Sequence, residues 1–114
     1  SADPVQVQQV ILNLLLNALD AVQDGPRTRR KVVLSTRADA GQRVLLTVRD
    51  WGPGIPLDRL EAIFDPFYST KKHGMGLGLA ICRSITRTYG GTLVAENAPG
   101  GGAQFVLSLP AVRP

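Results

Sequence analysis

Residues 74–85 read GMGLGLAICRSI: Gly74, Gly76 and Gly78 alternate with Met75 and Leu77, and an apolar run carrying Ile81 and Ile85 follows at once. Such glycines make a flexible segment that exposes backbone N–H groups where a helix begins. Those groups, with the positive end of the helix dipole, favour an anion. Lys71, Lys72 and His73 stand just upstream, placed to neutralise a phosphate tail. The stretch is not the G-x-x-x-x-G-K-[ST] phosphate loop. Nor is it G-x-G-x-x-G, because residue 79 is Leu and no strand precedes it. The spacing predicts a helix from about Leu77 to Tyr89, with Leu77, Ile81, Ile85 and Thr88 on one face, Arg83 and Arg87 on another, and Gly90-Gly91 as its stop.

The chain around it divides into few elements. PVQVQQVILNLLLNALDAVQ (4–23) is predicted as a long helix, with Asp3 as N-cap, Pro4 at the first helical position and Gly25-Pro26 as its end. KVVLSTR (31–37) and RVLLTVR (43–49) are strands joined by ADAGQ, and TLVAEN (92–97) and AQFVLSLP (103–110) make a closing hairpin around APGGG. LDRLEAIF (57–64) reads as a short helical piece, and DPFYSTKKHGMG (65–76), without periodicity, as a mobile loop. Helix, hairpin, loop, helix, hairpin defines an α+β fold: a two-layer α/β sandwich with helices on one face of a mixed, mainly antiparallel sheet.

At 114 residues the chain is one domain, and 44% hydrophobic with 19% charged residues is a folded composition. The longest apolar run is interrupted by Asn and reads as too short for a bilayer, and no basic-then-apolar signal segment opens the sequence. A single Cys82 builds no disulfide framework and reads as a small core residue, which favours a reducing, cytoplasmic setting. Net charge is +4, but apart from RTRRK (27–31) the cations are scattered, so neither nucleic acid nor direct membrane contact is expected. A phosphate-bearing small ligand suits the charge equally well.

Two amides sit inside the first helix. Asn13 and Asn17 interrupt VILNLLLNALDAV, and at i and i+4 they share a face with Gln6, Gln9 and Asp20 nearby. Asn is about 0.5–0.7 kcal/mol worse than Ala in a helix, and burying its amide unpaired costs a further 1–3 kcal/mol or so. The stripe either faces water or has a use. An amide oxygen is a neutral, hard ligand suited to Mg²⁺ that brings phosphates for charge balance.

RDWGPGIP (49–56) places Asp50 where a strand empties into a glycine loop. A carboxylate there can accept from an exocyclic amine, which would select adenine over guanine, while Gly52 and Gly54 let a flat ring approach the backbone. The alternative is an Asx turn, Asp50 bonding its own loop.

In sequence order these motifs resemble the ATP-binding catalytic domain of bacterial two-component sensor histidine kinases, members of the Bergerat-fold (GHKL) ATPases. QVILNLLLNALDAV looks like the N box, RDWGPGIP the G1 box, IFDPFYSTK the F box and GMGLGLAI the G2 box, so the resemblance spans essentially all of residues 1–114. FYSTKKHGMGLGLAICRSI, YGGTLVAEN and PGGGAQFVLSLP look most like the subgroup of oxygen-sensing and nitrogen-regulatory kinases. The resemblance implies ATP and Mg²⁺ as ligands. It puts Asn17 on the metal with Asn13 beside metal and phosphates, and Asp50 on the adenine amino group with Gly52 and Gly54 shaping the pocket. Residues 68–76 become an ATP lid, with Lys71, Lys72, Gly74, Met75, Gly76, Leu77 and Gly78 along the phosphates, and Phe64 and Phe67 anchor it.

Some positions depart from the family pattern. Asp20 stands where many members have a basic residue, which makes Lys71, completing S-T-K, the phosphate-facing catalytic cation beside Asn17. Gln104 stands where the family often has Thr near the base. Family domains carry a helix and strand before the N box, so the resemblance implies that this chain lacks them. His73 lacks the helical, acid-flanked setting of the family's acceptor. The acceptor histidine is therefore expected on a separate dimerisation domain of the same kinase, with a response regulator receiver domain downstream. A serine-directed anti-sigma-type kinase and a non-catalytic nucleotide-binding module are the alternatives.

Overall fold

A computed structural model describes residues 4–39, 41–65 and 78–110. Helix α1 (Pro4–Val22) is followed by strands β1 (Val32–Ala38) and β2 (Arg43–Asp50), helix α2 (Leu79–Thr88), and strands β3 (Thr92–Asn97) and β4 (Ala103–Pro110). The four strands form one antiparallel sheet in the order β1-β2-β4-β3. The expected helices-on-sheet architecture is what the chain adopts.

Period-two patterning builds the sheet's inner face. Leu46 and Val48 of β2 stand opposite Leu107 and Phe105 of β4, and Leu93 of β3 stands opposite Leu107. All five are buried, and Cys82, Ile63 and Phe64 join them. The ring of Phe64 meets Phe105 edge-on, with centroids 6.2 Å apart and planes at 79°. On α1 the apolar residues recur every fourth position: Val10, Leu14, Ala18 and Val22 are buried in one line against this face. Burial of Leu14 alone contributes about 1.5–3 kcal/mol.

Three sequence expectations change. Residues 57–64 form two separate 3-10 turns, Leu57–Arg59 and Ala62–Phe64, instead of one helical piece. Only Ile63 and Phe64 there are buried, so no apolar stripe of helical period exists to hold a longer helix. In α2 the buried residues are Cys82 and Thr86, whereas Ile81, expected on the inner face, is 48% exposed. The helix starts at Leu79, and Thr86 tolerates its core position because its hydroxyl donates to Cys82 O at 2.8 Å. Third, Val5–Val22 has the length and composition of a membrane-crossing helix, with mean hydropathy 1.3. Within it the line Val10–Leu14–Ala18–Val22 is part of the domain core, while Val5, Leu12 and Leu19 are exposed.

Candidate functional site

Part of the polar stripe of α1 faces α2, through Asn13 and Gln6, while Gln9 is exposed. Asn13 is 4% exposed and its Nδ2 donates to Sγ of Cys82 on α2 at 3.0 Å. One turn on, Asn17 is half-buried, and Gln6, nearer the start of α1, pairs with the Tyr89 hydroxyl just past the end of α2. Cys82 opposite Asn13 and Tyr89 opposite Gln6 mean that α2 runs antiparallel to α1. Its first residues therefore lie toward the Asn17 turn. Gly78 is the N-cap of α2, exposed, with no side-chain cap on the helix. Its carbonyl accepts from Ile81 and Cys82, while the first N–H groups of a helix have no intrahelical acceptor.

At the other end of the stripe lies Asp50, the last residue of β2, 2% exposed on the core side of the sheet. Its Oδ1 accepts from Gly52 N at 2.8 Å and from Ala103 N at 3.3 Å. The Asx turn foreseen as an alternative does form, and it uses one oxygen. Among the described residues Oδ2 has no hydrogen-bond partner. The turn thus fixes the carboxylate and leaves an acceptor for something else.

The glycine loop packs closely on its surroundings. A Cβ on Gly52 would sit 2.8 Å from Ala21 O, which fastens the loop to the end of α1, one turn beyond Asn17. Gly102, with φ +83°, backs onto Asp50 so tightly that a Cβ there would fall 2.0 Å from Asp50 O. The glycines are needed for these contacts between backbone segments. Trp51 closes the outside: its N–H donates to Lys31 O, its carbonyl accepts from Arg29 Nε at 3.2 Å, and Lys31 and Arg49 lie over its ring at 4.8 and 4.0 Å.

The start of α2 and the Gly52–Asp50 loop therefore both lie toward the Asn17–Ala21 end of α1, and from Asn13 to Ala21 that helix covers about 12 Å. Asn13, Asn17, Asp50, Gly52 and Gly78 lie toward this end, whereas Gly54 bears on Asn97 and Gly102 of the β3–β4 hairpin. The other expected positions, Lys71, Lys72, Gly74, Met75, Gly76 and Leu77, with His73, Phe67 and the 68–76 lid, lie outside the described residues. Gln104, where a base contact was in question, faces the opposite side of the sheet and bonds Glu96. The residue beside Asp50 is Ala103, through its backbone. Gly102 and Asn97, which bear on the loop from the β3–β4 hairpin, carried no functional signal in the sequence beyond turn composition.

The donors fit Mg²⁺ only in one form. Among the described residues no three of His, Cys, Asp or Glu gather into a metal site. Asn13 and Asn17 offer neutral amide oxygens, so a cation here would need the charge of bound phosphates, the ordinary situation of Mg²⁺.

Comparison with known proteins identifies the family. The profile of the histidine kinase-, DNA gyrase B- and HSP90-like ATPases matches residues 2–113. Sensor histidine kinase TmoS of Ectopseudomonas mendocina is 42% identical over 109 residues, covering 95% of this chain and 11% of TmoS. Sensor histidine kinase ZraS of Escherichia coli O157:H7 is 44% identical over 110 residues, covering 96% of this chain and 23% of ZraS. The catalytic domain of histidine kinase ThkA superposes with a TM-score of 0.82 at 36% identity, covering 96% of this chain and 68% of that one. ThkA has also been solved in complex with a response regulator protein, TrrA, and there the TM-score is 0.73 at 30% identity, over 97% of this chain and 30% of that one. The chain belongs to the histidine kinase-, DNA gyrase B- and HSP90-like ATPase family, and it spans a minor part of the curated relatives it matches.

Proposed function

We propose that this chain is the Mg-ATP-binding catalytic domain of a sensor protein-histidine kinase of the oxygen-sensing and nitrogen-regulatory type. The observation that carries the reading is the Asp50 carboxylate: buried, held by Gly52 and Ala103 through one oxygen, with the other available to an amino group. Adenine offers an exocyclic donor there and guanine a carbonyl. The base would lie at Asp50 and Gly52, and the phosphates along Asn17 and Asn13 toward Gly78.

Asn17, with Asn13 beside it, would hold Mg²⁺, which when bound neutralises phosphate charge. The N–H groups at the start of α2 add positive potential at the same end. Lys71, Lys72 and residues 74–78 would contact the phosphates. Positioning and charge neutralisation are what phosphoryl transfer requires of such a site. The γ-phosphorus–oxygen bond breaks to leave ADP, and a phosphorus–nitrogen bond forms on a histidine imidazole. That histidine would belong to the dimerisation domain of the same kinase and would pass the group to a response regulator receiver domain. The ThkA complex with TrrA supports this last step.

The test is transfer in trans. The chain is mixed with a histidine-bearing helical domain and ATP labelled at the γ-phosphate. Acid-labile label on the added domain is expected. Acid-stable label would indicate a serine-directed kinase, and ADP binding with no label a nucleotide-binding module.

A further inference from the structure

We propose that Asn97 is a positioning residue of the base pocket, clamping the glycine loop through Ile55; the inference rests on the reading of Asp50 as the adenine acceptor. Asn97 is the last residue of β3, and its side chain reaches back across 42 positions of sequence to the loop. Its Oδ1 accepts from Ile55 N at 2.7 Å and its Nδ2 donates to Ile55 O at 2.8 Å. One carboxamide therefore gives Ile55 both bonds that a strand partner would give, at a point where the chain has left the sheet.

Three features make the clamp specific. Only a carboxamide carries an acceptor and a donor side by side, so among side chains of this length Asn alone satisfies both groups of Ile55. Gly54, with φ +83°, runs directly beneath it, and a Cβ at that residue would lie 2.8 Å from Asn97 Oδ1. Ile55 itself packs against the core cluster, so the clamp sits where the loop re-enters the folded body. At the loop's opposite end Gly52 N is tied to Asp50 Oδ1. The recognition carboxylate and its loop are thus fastened at both ends before any ligand arrives.

Fastening of this kind acts on binding more than on folding. Asn97 is exposed, so without it the N–H and carbonyl of Ile55 can turn to water. A loosened loop must then be ordered by the nucleotide, which lowers affinity.

The experiment compares the 114-residue chain with Asn97→Ala and Asn97→Asp, measuring Mg-ADP and Mg-GDP affinity and the thermal unfolding midpoint. Asn97→Ala is expected to weaken Mg-ADP about tenfold, the loss of two neutral hydrogen bonds, with the midpoint almost unchanged. Asn97→Asp keeps the acceptor for Ile55 N but sets a carboxylate against Ile55 O, and should bind no better than Asn97→Ala. Unaltered ADP affinity in Asn97→Ala overturns the inference, and so does a lowered midpoint with wild-type affinity in the folded fraction. A wild-type chain that is folded yet binds no ADP overturns the parent reading of Asp50, and this inference with it.

Discussion

Asn13 donates from Nδ2 to Sγ of Cys82 across 3.0 Å, so the polar stripe of α1 and the first turns of α2 are joined inside the core. A cysteine that reads in the sequence as a small apolar filler is also an acceptor for the amide of Asn13, a residue proposed to line the nucleotide site. Cys82→Val should therefore do more than change packing. It removes the sulfur acceptor from Asn13 Nδ2, and a loss of about 1 kcal/mol in unfolding free energy, the net value of one hydrogen bond, is expected. Urea denaturation measures this, and Cys82→Ser, which keeps an acceptor in place, should lose less. Equal stability of Cys82→Val and wild type would show that the contact carries no weight.

Gly102 answers for the other side of the pocket. With φ +83° and a would-be Cβ 2.0 Å from Asp50 O, Gly102→Ala must move either its own hairpin or the end of β2. Strained backbone of this sort costs on the order of 1–3 kcal/mol before any clash is counted. The expected outcome is a lower unfolding midpoint together with weaker nucleotide binding, since Asp50 moves with the backbone it shares. Gly78→Ala is the comparison for a glycine without a clash: among the described residues no atom lies within 4 Å of a Cβ there, and only the modest cost of Ala at an N-cap is expected.

Much of this site is legible in the sequence because its parts follow from local rules. Asn13 and Asn17 stand out as amides in an apolar helix, and Asp50 as a carboxylate at a strand end, without any tertiary information. What the sequence hides is which backbone lies behind each glycine. Gly52 and Gly54 suggest a ring approaching from outside, while the structure shows Ala21 and Asn97 pressing from the protein side. Such contacts join positions 31 to 43 residues apart and leave no periodic trace. The face of α2 was misread for a related reason. Steps of four from Leu77 select Ile81 and Ile85; Ile85 does pack against the core, but Ile81 is exposed while Cys82 and Thr86 are buried, and a threonine satisfied by its own helix looks polar in sequence.

Glu61 provides a pH-dependent signature. Arg83 bonds both its carboxylate oxygens, at 2.8 and 3.1 Å, while lying 3.9 Å from the Phe64 ring and donating through Nε to Leu93 O. The Arg83 hydrogen bonds first, then the guanidinium charge, hold the Glu61 carboxyl below its usual range. A depressed carboxyl contributes stability that is complete above its unfolded value and is lost as pH falls through the folded one. The pair should accordingly persist into mild acid and break below the ordinary glutamate range. Side-chain carbon shifts followed by NMR should give a Glu61 midpoint under that of an unstructured glutamate, and Arg83→Gln should bring it back. Because Glu61 is fully exposed, added salt should shrink the difference.

The central claim is that the second oxygen of Asp50 selects adenine, and calorimetric titration of the chain with Mg-ADP and Mg-GDP, beside Asp50→Asn, tests it most directly. Trp51, next in sequence, gives a fluorescence check on the same event. The account predicts that ADP binds, that GDP does not, and that Asp50→Asn weakens ADP by roughly ten- to a hundredfold, the value of a hydrogen bond to a charged acceptor. Equal affinity for the two nucleotides, or an Asp50→Asn variant that binds ADP as the wild type does, would contradict it.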